Sequence, residues 1–224
     1  MRATKAFDVE PGQLSTAQKV LRYFDATAGS FDAIYSSPRA VDRIFRRDMY
    51  QRLHRTLTHC EPIRGKTVLD AGCGSGQYAV ALAERGAAEI VGLDFAENML
   101  VIAAANARRA GVLERCHFVC GEFLQYAFDR TFDYVIAVGL FDYIDDPLPF
   151  LRHARELGRE KLIATFPRIF TWRAPVRKVR LTLKGCPVYF YTRRRVADLM
   201  HRAGWELREL SVCGKIYVVT ARPA

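Results

Sequence analysis

Residues 68–76 read Val68-Leu69-Asp70-Ala71-Gly72-Cys73-Gly74-Ser75-Gly76, an apolar stretch that ends in an acid and then places glycine at three alternate positions. Glycines this close let a chain turn sharply from a strand into a helix, and without a Cβ between them a ligand can lie against bare backbone. The segment therefore predicts a strand, a ligand-holding turn and a helix. Working outward from it, apolar strands are expected at 66–70, 89–93, 116–120, 132–138 and 160–165, with helices at about 76–85, 96–110 and 146–157 between them. Such alternation argues for an α/β fold, a parallel sheet with helices on both faces.

The flanks follow from the same kind of reading. Gly86 and Gly111 close helical runs where a left-handed residue is wanted. Ser37-Pro38 supplies a cap and a first-turn proline, and Val41, Ile44, Phe45, Met49, Leu53 and Leu57 then share one helical stripe, which should pack on the sheet. Near the other end a helix at 193–203 precedes strands at 205–212 and 215–220. Their two-residue link, Cys213-Gly214, makes them an antiparallel hairpin.

Global properties narrow the class. A chain of 224 residues is one domain with elaborations, able to bury roughly 70% of its unfolded surface. The start, MRATKAFDVEPGQL, holds acids and no apolar segment, and the longest apolar run, 99–105, is far too short to span a bilayer. A cytoplasmic location is expected. Six cysteines (Cys60, Cys73, Cys116, Cys120, Cys186, Cys213) lack any C-x-x-C pair, and four fall in or beside strands. Buried thiols are expected rather than a zinc site.

The acids at the strand ends choose the ligand. A dinucleotide fingerprint needs G-x-G-x-x-G, but the third glycine here is Gly76 and its place is taken by Gln77. Asp70, as a negative charge beside the loop, suits an amine and a sulfonium better than a pyrophosphate. Asp94 closes Val91-Gly92-Leu93-Asp94, where an acid can accept both ribose hydroxyls, and Glu122 follows Phe118-Val119-Cys120-Gly121. Three carboxylates on successive strand ends make an acidic groove, and S-adenosylmethionine carries the two matching cations.

Taken in order, VLDAGCGSGQYAVALAERGA, IVGLDFAENML, CGEFL and FDYVIAVGLFDYIDDP cover most of residues 67–147 and resemble the class I S-adenosylmethionine-dependent methyltransferases. The opening YFDATAGSFDAIY resembles the N-terminal cap of quinone C-methyltransferases and magnesium-protoporphyrin O-methyltransferases. The resemblance implies a Rossmann-like, mostly parallel seven-stranded sheet with an antiparallel last strand. It divides the chain into a helical cap, 1–58, and a cofactor-binding domain, 59–224, with a basic lid segment at 167–195.

With that cofactor the protein's task is to position an acceptor in line with the S–CH₃ bond and to exclude water. Two covers are expected, the cap with Tyr23, Phe24, Phe31 and Tyr35, and the segment before the helix at 193. Ring faces attract a sulfonium, and a phenol can also bind the methionyl carboxylate. Cofactor-binding candidates are thus Tyr23, Tyr35, Asp70, Gly72, Gly74, Gly76, Asp94, Phe95, Met99, Glu122, Phe123 and Val138. Phe95, Met99 and Phe123 flank the adenine, Met99 having an equal claim as a core residue. Asp142 and Tyr143, with Tyr35, are the catalytic candidates, Asp142 also fitting a turn or capping role. His153 and His54 stand behind them as bases, and no metal is called for.

The acceptor is read from what the fourth strand lacks and the lid contains. Ala137-Val138-Gly139-Leu140-Phe141-Asp142-Tyr143 has neither the Pro-Pro pair of exocyclic base amine methylation nor a Pro-Cys dipeptide, which argues against nucleic acid and for a small molecule. The 34 Lys and Arg against 24 Asp and Glu leave a net charge of +10, and nine of the bases, with no acid, lie between Arg168 and Ala197 beside Phe170, Trp172, Tyr189, Phe190 and Tyr191. An anionic or aromatic acceptor, free or tethered to a carrier, is expected there. RNA, peripheral contact with an anionic membrane, a bare solvated face, and non-methyl chemistry on the same cofactor remain the competing readings.

Overall fold

The computed structural model describes residues 40–169 and 186–224, with side chains in the first helix from Met49 onward. The expectations for Tyr23, Phe24, Phe31, Tyr35, Phe170 and Trp172 lie outside the described residues.

Seven strands form one sheet in the order β3-β2-β1-β4-β5-β7-β6. They are β1 (Thr67–Ala71), β2 (Glu89–Asp94), β3 (Cys116–Cys120), β4 (Phe132–Ala137), β5 (Gly158–Pro167), β6 (Trp205–Cys213) and β7 (Ile216–Pro223). The first five run parallel and β7 enters antiparallel between β5 and β6. Buried runs such as Val68-Leu69-Asp70-Ala71 and Tyr134 to Ala137 are what a strand covered on both faces requires.

The helices are α1 (Ala40–His59), α2 (Gln77–Glu84), α3 (Glu97–Arg109), α4 (Pro147–Leu157) and α5 (Arg193–Arg202). Leu57 of α1, Leu82 of α2 and Ala107 of α3 join Val68, Ile90 and Ile136 in the core of one face. Leu151 of α4 and Met200 of α5 join Leu69, Val135 and Phe166 in the core of the other. The expected stripe on α1 does pack on the sheet through Leu53 and Leu57. Asp146, rather than Asp142, caps α4, its Oδ1 accepting from the Leu148 amide at 3.1 Å with Pro147 in the first turn.

The hairpin link is Gly214-Lys215, one residue later than the spacing suggests, because Cys213 still pairs with Ile216. All six cysteines are thiols. Burial holds for four of them: Cys120, ending the edge strand β3, is exposed, and Cys213, at the hairpin tip, is half-buried.

Gly76 begins α2 at φ +74°, and a Cβ there would lie 2.8 Å from Ala103 Cβ and 3.2 Å from its Cα. Its bareness lets α2 and α3 meet. Gly76→Ala is expected to lower stability by about 2–3 kcal/mol through left-handed strain and overpacking, read as a shift in the urea midpoint at unchanged slope.

Candidate functional site

Chain order reverses between β1 and β4, which lie side by side while their connections leave in opposite directions. Open α/β sheets bind ligands in the crevice this creates at the strands' carboxyl ends. Gly72 and Gly74 turn the chain there with φ of +74° and +51°. The Gly72 and Cys73 amides donate to Leu93 O at 2.8 and 3.0 Å, tying the turn to β2. Around Gly72 the space is filled, a Cβ falling 2.9 Å from Leu140 Cδ1, whereas a Cβ on Gly74 would meet nothing within 4 Å. The open face of the cradle is therefore at Gly74.

Asp94 organises this cradle. Its Oδ2 accepts from the Gly74 amide at 2.8 Å and its Oδ1 from the Ala96 amide at 2.9 Å, so one carboxylate clamps the glycine turn to the start of α3. Charge-assisted bonds of this kind are the stronger class.

Asp70 lies sealed beneath the turn, 1% exposed. Its Oδ2 has no hydrogen-bond partner among the described residues. Burial first, and the Asp94 charge second, push its carboxyl up to about 8, against the pull of the Ala79 backbone amide. Burial thus works against the standing negative charge expected from the sequence, and an acid so covered can act on a ligand above it through its charge state rather than by touch.

The other candidates divide between the crevice and the core. Phe95, following β2, and Tyr143, following β4, pack with Phe190 against Cys186 and Val188, forming an apolar wall that runs across the strand ends. The Tyr189 amide donates to Asp142 O at 2.8 Å, pinning that wall to the tip of β4, where Asp142 is 7% exposed. Glu122 is half-buried, Met99 and Val138 are buried, and Phe123 stacks on Phe150 with centroids 4.1 Å apart. His153 sits against Phe123 and pairs with Glu156 at 3.0 Å, while His54 faces the β6–β7 link. Of the nine bases in the lid segment, Arg168 and Arg193 to Arg195 are described.

One side chain in this region escaped sequence reading. Arg52 of α1 meets the Tyr78 phenol, and its Nη1 would stand 3.3 Å from a Cβ on Gly139, the φ +77° residue past β4. Burial raises the Tyr78 phenol despite the Arg52 charge. Arg52 and Thr56 lie one turn apart on a helix read only for its apolar stripe, and that i, i+4 polar pair was the available signal.

Comparison with known proteins agrees with this geometry. Residues 68–160 match the model of the methyltransferase domain family. A ubiquinone biosynthesis O-methyltransferase of Neisseria meningitidis serogroup C is 28% identical over 74% of this chain and 65% of its own length. The corresponding protein of Idiomarina loihiensis is 35% identical over 43% of this chain and 39% of its own. The chain thus spans 65% or less of the length of these relatives.

Among solved structures, magnesium protoporphyrin IX methyltransferase from Synechocystis PCC 6803 with bound SAH superposes with a TM-score of 0.79 at 19% identity, covering 92% of this chain and 98% of that one. The [4+2]-cyclase SpnF superposes at 0.72 with 17% identity, covering 95% and 97%, which marks the fold as broader than one reaction. Residues 68–160 thus resemble the methyltransferase domain family, and the seven-stranded fold around them is the one seen in the Synechocystis magnesium protoporphyrin IX methyltransferase structure.

Proposed function

We propose that this chain binds S-adenosylmethionine in the crevice at Gly74 and transfers its methyl group to a small-molecule acceptor. The observation that carries the reading is the pair of carboxyls, Asp70 and Asp94, set around a turn whose one open face is bare backbone. The residues fit the cofactor. Gly74 leaves room that a side chain would fill, and Asp70 carries a buried oxygen with no partner among the described residues, poised to become an anion under a cation. Asp94 would take the ribose hydroxyls, Phe95 and Met99 the adenine, with Glu122 at its rim and the Gly72 to Gly76 turn along the methionyl part. When bound, the cofactor supplies an electrophilic methyl carbon on a cationic sulfur.

The remaining work belongs to the chain. The wall of Phe95, Tyr143, Val188 and Phe190 excludes water and offers ring faces to an aromatic acceptor. Arg52, over Gly139, is placed to meet an anionic group on it. Asp142 at the tip of β4 is the carboxylate assigned to take the acceptor's proton, with Tyr143 beside it. Asp142→Asn should lower kcat on the order of 10²-fold with little change in cofactor affinity, measured by steady-state kinetics beside calorimetry.

An aromatic or anionic acceptor is supported by that wall and that cation, and by the names of the quinone and porphyrin enzymes the chain resembles. Turnover followed by product analysis tests the chemistry. S-adenosylhomocysteine as the product supports it, whereas methylthioadenosine alone would mean transfer of the aminocarboxypropyl group and would end the methyltransferase reading.

A further inference from the structure

Five large apolar side chains are well exposed among the described residues, and three of them lie at one end of the sheet. Tyr50 of α1 (53% exposed) and Val212 of β6 (44%) line a groove of about 450 Å³ between that helix and the β6–β7 link, together with His54, Arg55 and Gly214. Ile169 (44%) lies at the same end of the sheet, its amide donating to Tyr191 O at 3.1 Å, one residue after Arg168, whose amide donates to Lys215 O of the link at 2.9 Å. Arg193 and Arg194, both exposed, follow two and three residues after Tyr191, and the Arg195 guanidinium lies over the Tyr191 ring.

The rim is predominantly basic, with Asp145 against Tyr189 and Glu209 against His59 at its margins. Residues 49–60, 161–169, 186–197 and 210–224, which build it, contain no Asp or Glu, and its bases include Arg55, Arg168, Arg193, Arg194, Arg195 and Lys215. It also lies at the functional end of the sheet. Pro167, the last residue of β5, pairs with Ile216, the first of β7, so the β6–β7 link stands at the carboxyl end of the parallel strands, as do Gly74 and Gly139.

Isolated exposed apolar residues mean little, and a basic face by itself attracts any polyanion. The two together on one edge are the pattern of interfacial binding, in which apolar side chains enter the acyl boundary and bases hold anionic headgroups. We propose that this rim, Tyr50, Ile169 and Val212 framed by Arg55, Arg168 and Arg193 to Arg195, docks the protein on an anionic lipid surface with the crevice mouth turned toward it. Nucleic acid is the lesser fit, because only one of the three exposed apolar residues is aromatic and single strands are held chiefly by stacking. Docking in this pose would let an amphipathic acceptor pass from the bilayer into the crevice.

The test is co-sedimentation of the full chain with vesicles of phosphatidylcholine alone and of an equal mixture with phosphatidylglycerol, without cofactor, so the result is independent of the proposed chemistry. Binding is expected to the mixed vesicles only, falling as salt rises from about 0.1 M to about 1 M and the screening length drops from about 10 Å to about 3 Å. The triple variant R55A/R193A/R194A changes only exposed side chains and should lose on the order of 100-fold in partitioning. Val212→Asp should weaken binding without altering the melting temperature. No sedimentation at low salt, equal binding to both vesicle types, or an unchanged triple variant would overturn the proposal. So would salt-sensitive binding to a polynucleotide with none to vesicles, which would reassign the rim.

Discussion

Asp70→Asn is expected to make the ligand-free protein more stable at alkaline pH and to weaken its hold on S-adenosylmethionine. In the fold the carboxyl is pushed from 3.8 to about 8, chiefly by burial. Below pH 3.8 it is protonated folded and unfolded, and contributes no pH dependence. As pH rises the unfolded chain ionises first, so the wild type should lose about 1.4 kcal/mol of stability per pH unit until the folded group also ionises near 8. The total is on the order of 5 kcal/mol. Asparagine cannot ionise and still accepts from the Ala79 amide, so its stability should stay flat across that window.

Urea denaturation at several pH values between 5 and 8.5 measures both slopes, and a wild type as flat as the variant would remove the buried acid from the account. The functional half of the prediction has its own readout. A cation placed above Asp70 favours its anion, so cofactor binding near pH 7 should release about one proton. Calorimetry in buffers of different ionisation enthalpy would detect it, and Asp70→Asn should abolish it.

Asp94→Ala is expected to damage both the fold and the site. It removes the acceptor for the Gly74 and Ala96 amides, the first holding the glycine turn and the second the start of α3. Two lost bonds to a charged group should lower stability by about 3–5 kcal/mol. Cofactor affinity should fall by a further 1–3 kcal/mol, or roughly 5- to 150-fold, through loss of the proposed ribose contacts. Because Asp94 helps hold the Asp70 carboxyl high, removing it should also bring that carboxyl down. A double-mutant cycle with Asp70→Asn would then show a coupling that independent sites lack. Unchanged affinity in Asp94→Ala would take this residue out of the binding site and leave it a loop clamp alone.

Local signals made most of the fold legible. Glycine at Gly86 and Gly111, with φ of +94° and +71°, ended α2 and α3 as expected, since only a residue without Cβ enters that region cheaply. Boundaries slipped where pairing rather than propensity decides, as at Cys213, which its partner Ile216 keeps in the strand. Burial of thiols failed at Cys120 because position in the sheet, and not strand membership, sets exposure.

The site shows the same division. Asp70, Gly74 and Asp94 could be named from spacing, because strand length and turn geometry put them at one edge regardless of the rest of the chain. Arg52 could not, since nothing local ties a helix residue to Gly139, which follows it by more than 80 positions. Nor could the charge of Asp70 be read from its letter: the carboxyl's affinity for its proton depends on its burial, on the Ala79 amide and on Asp94 across the turn.

Sequence alone determined which backbone segments are strands, where they turn bare, and that acids close them, because those are short-range consequences of side-chain shape and period. The tertiary structure alone decided how deeply each of those acids is buried, which cation stands beside Gly139, and which bases lie at the same end of the sheet as exposed apolar residues. Each of these depends on desolvation and on distances between segments far apart in the chain.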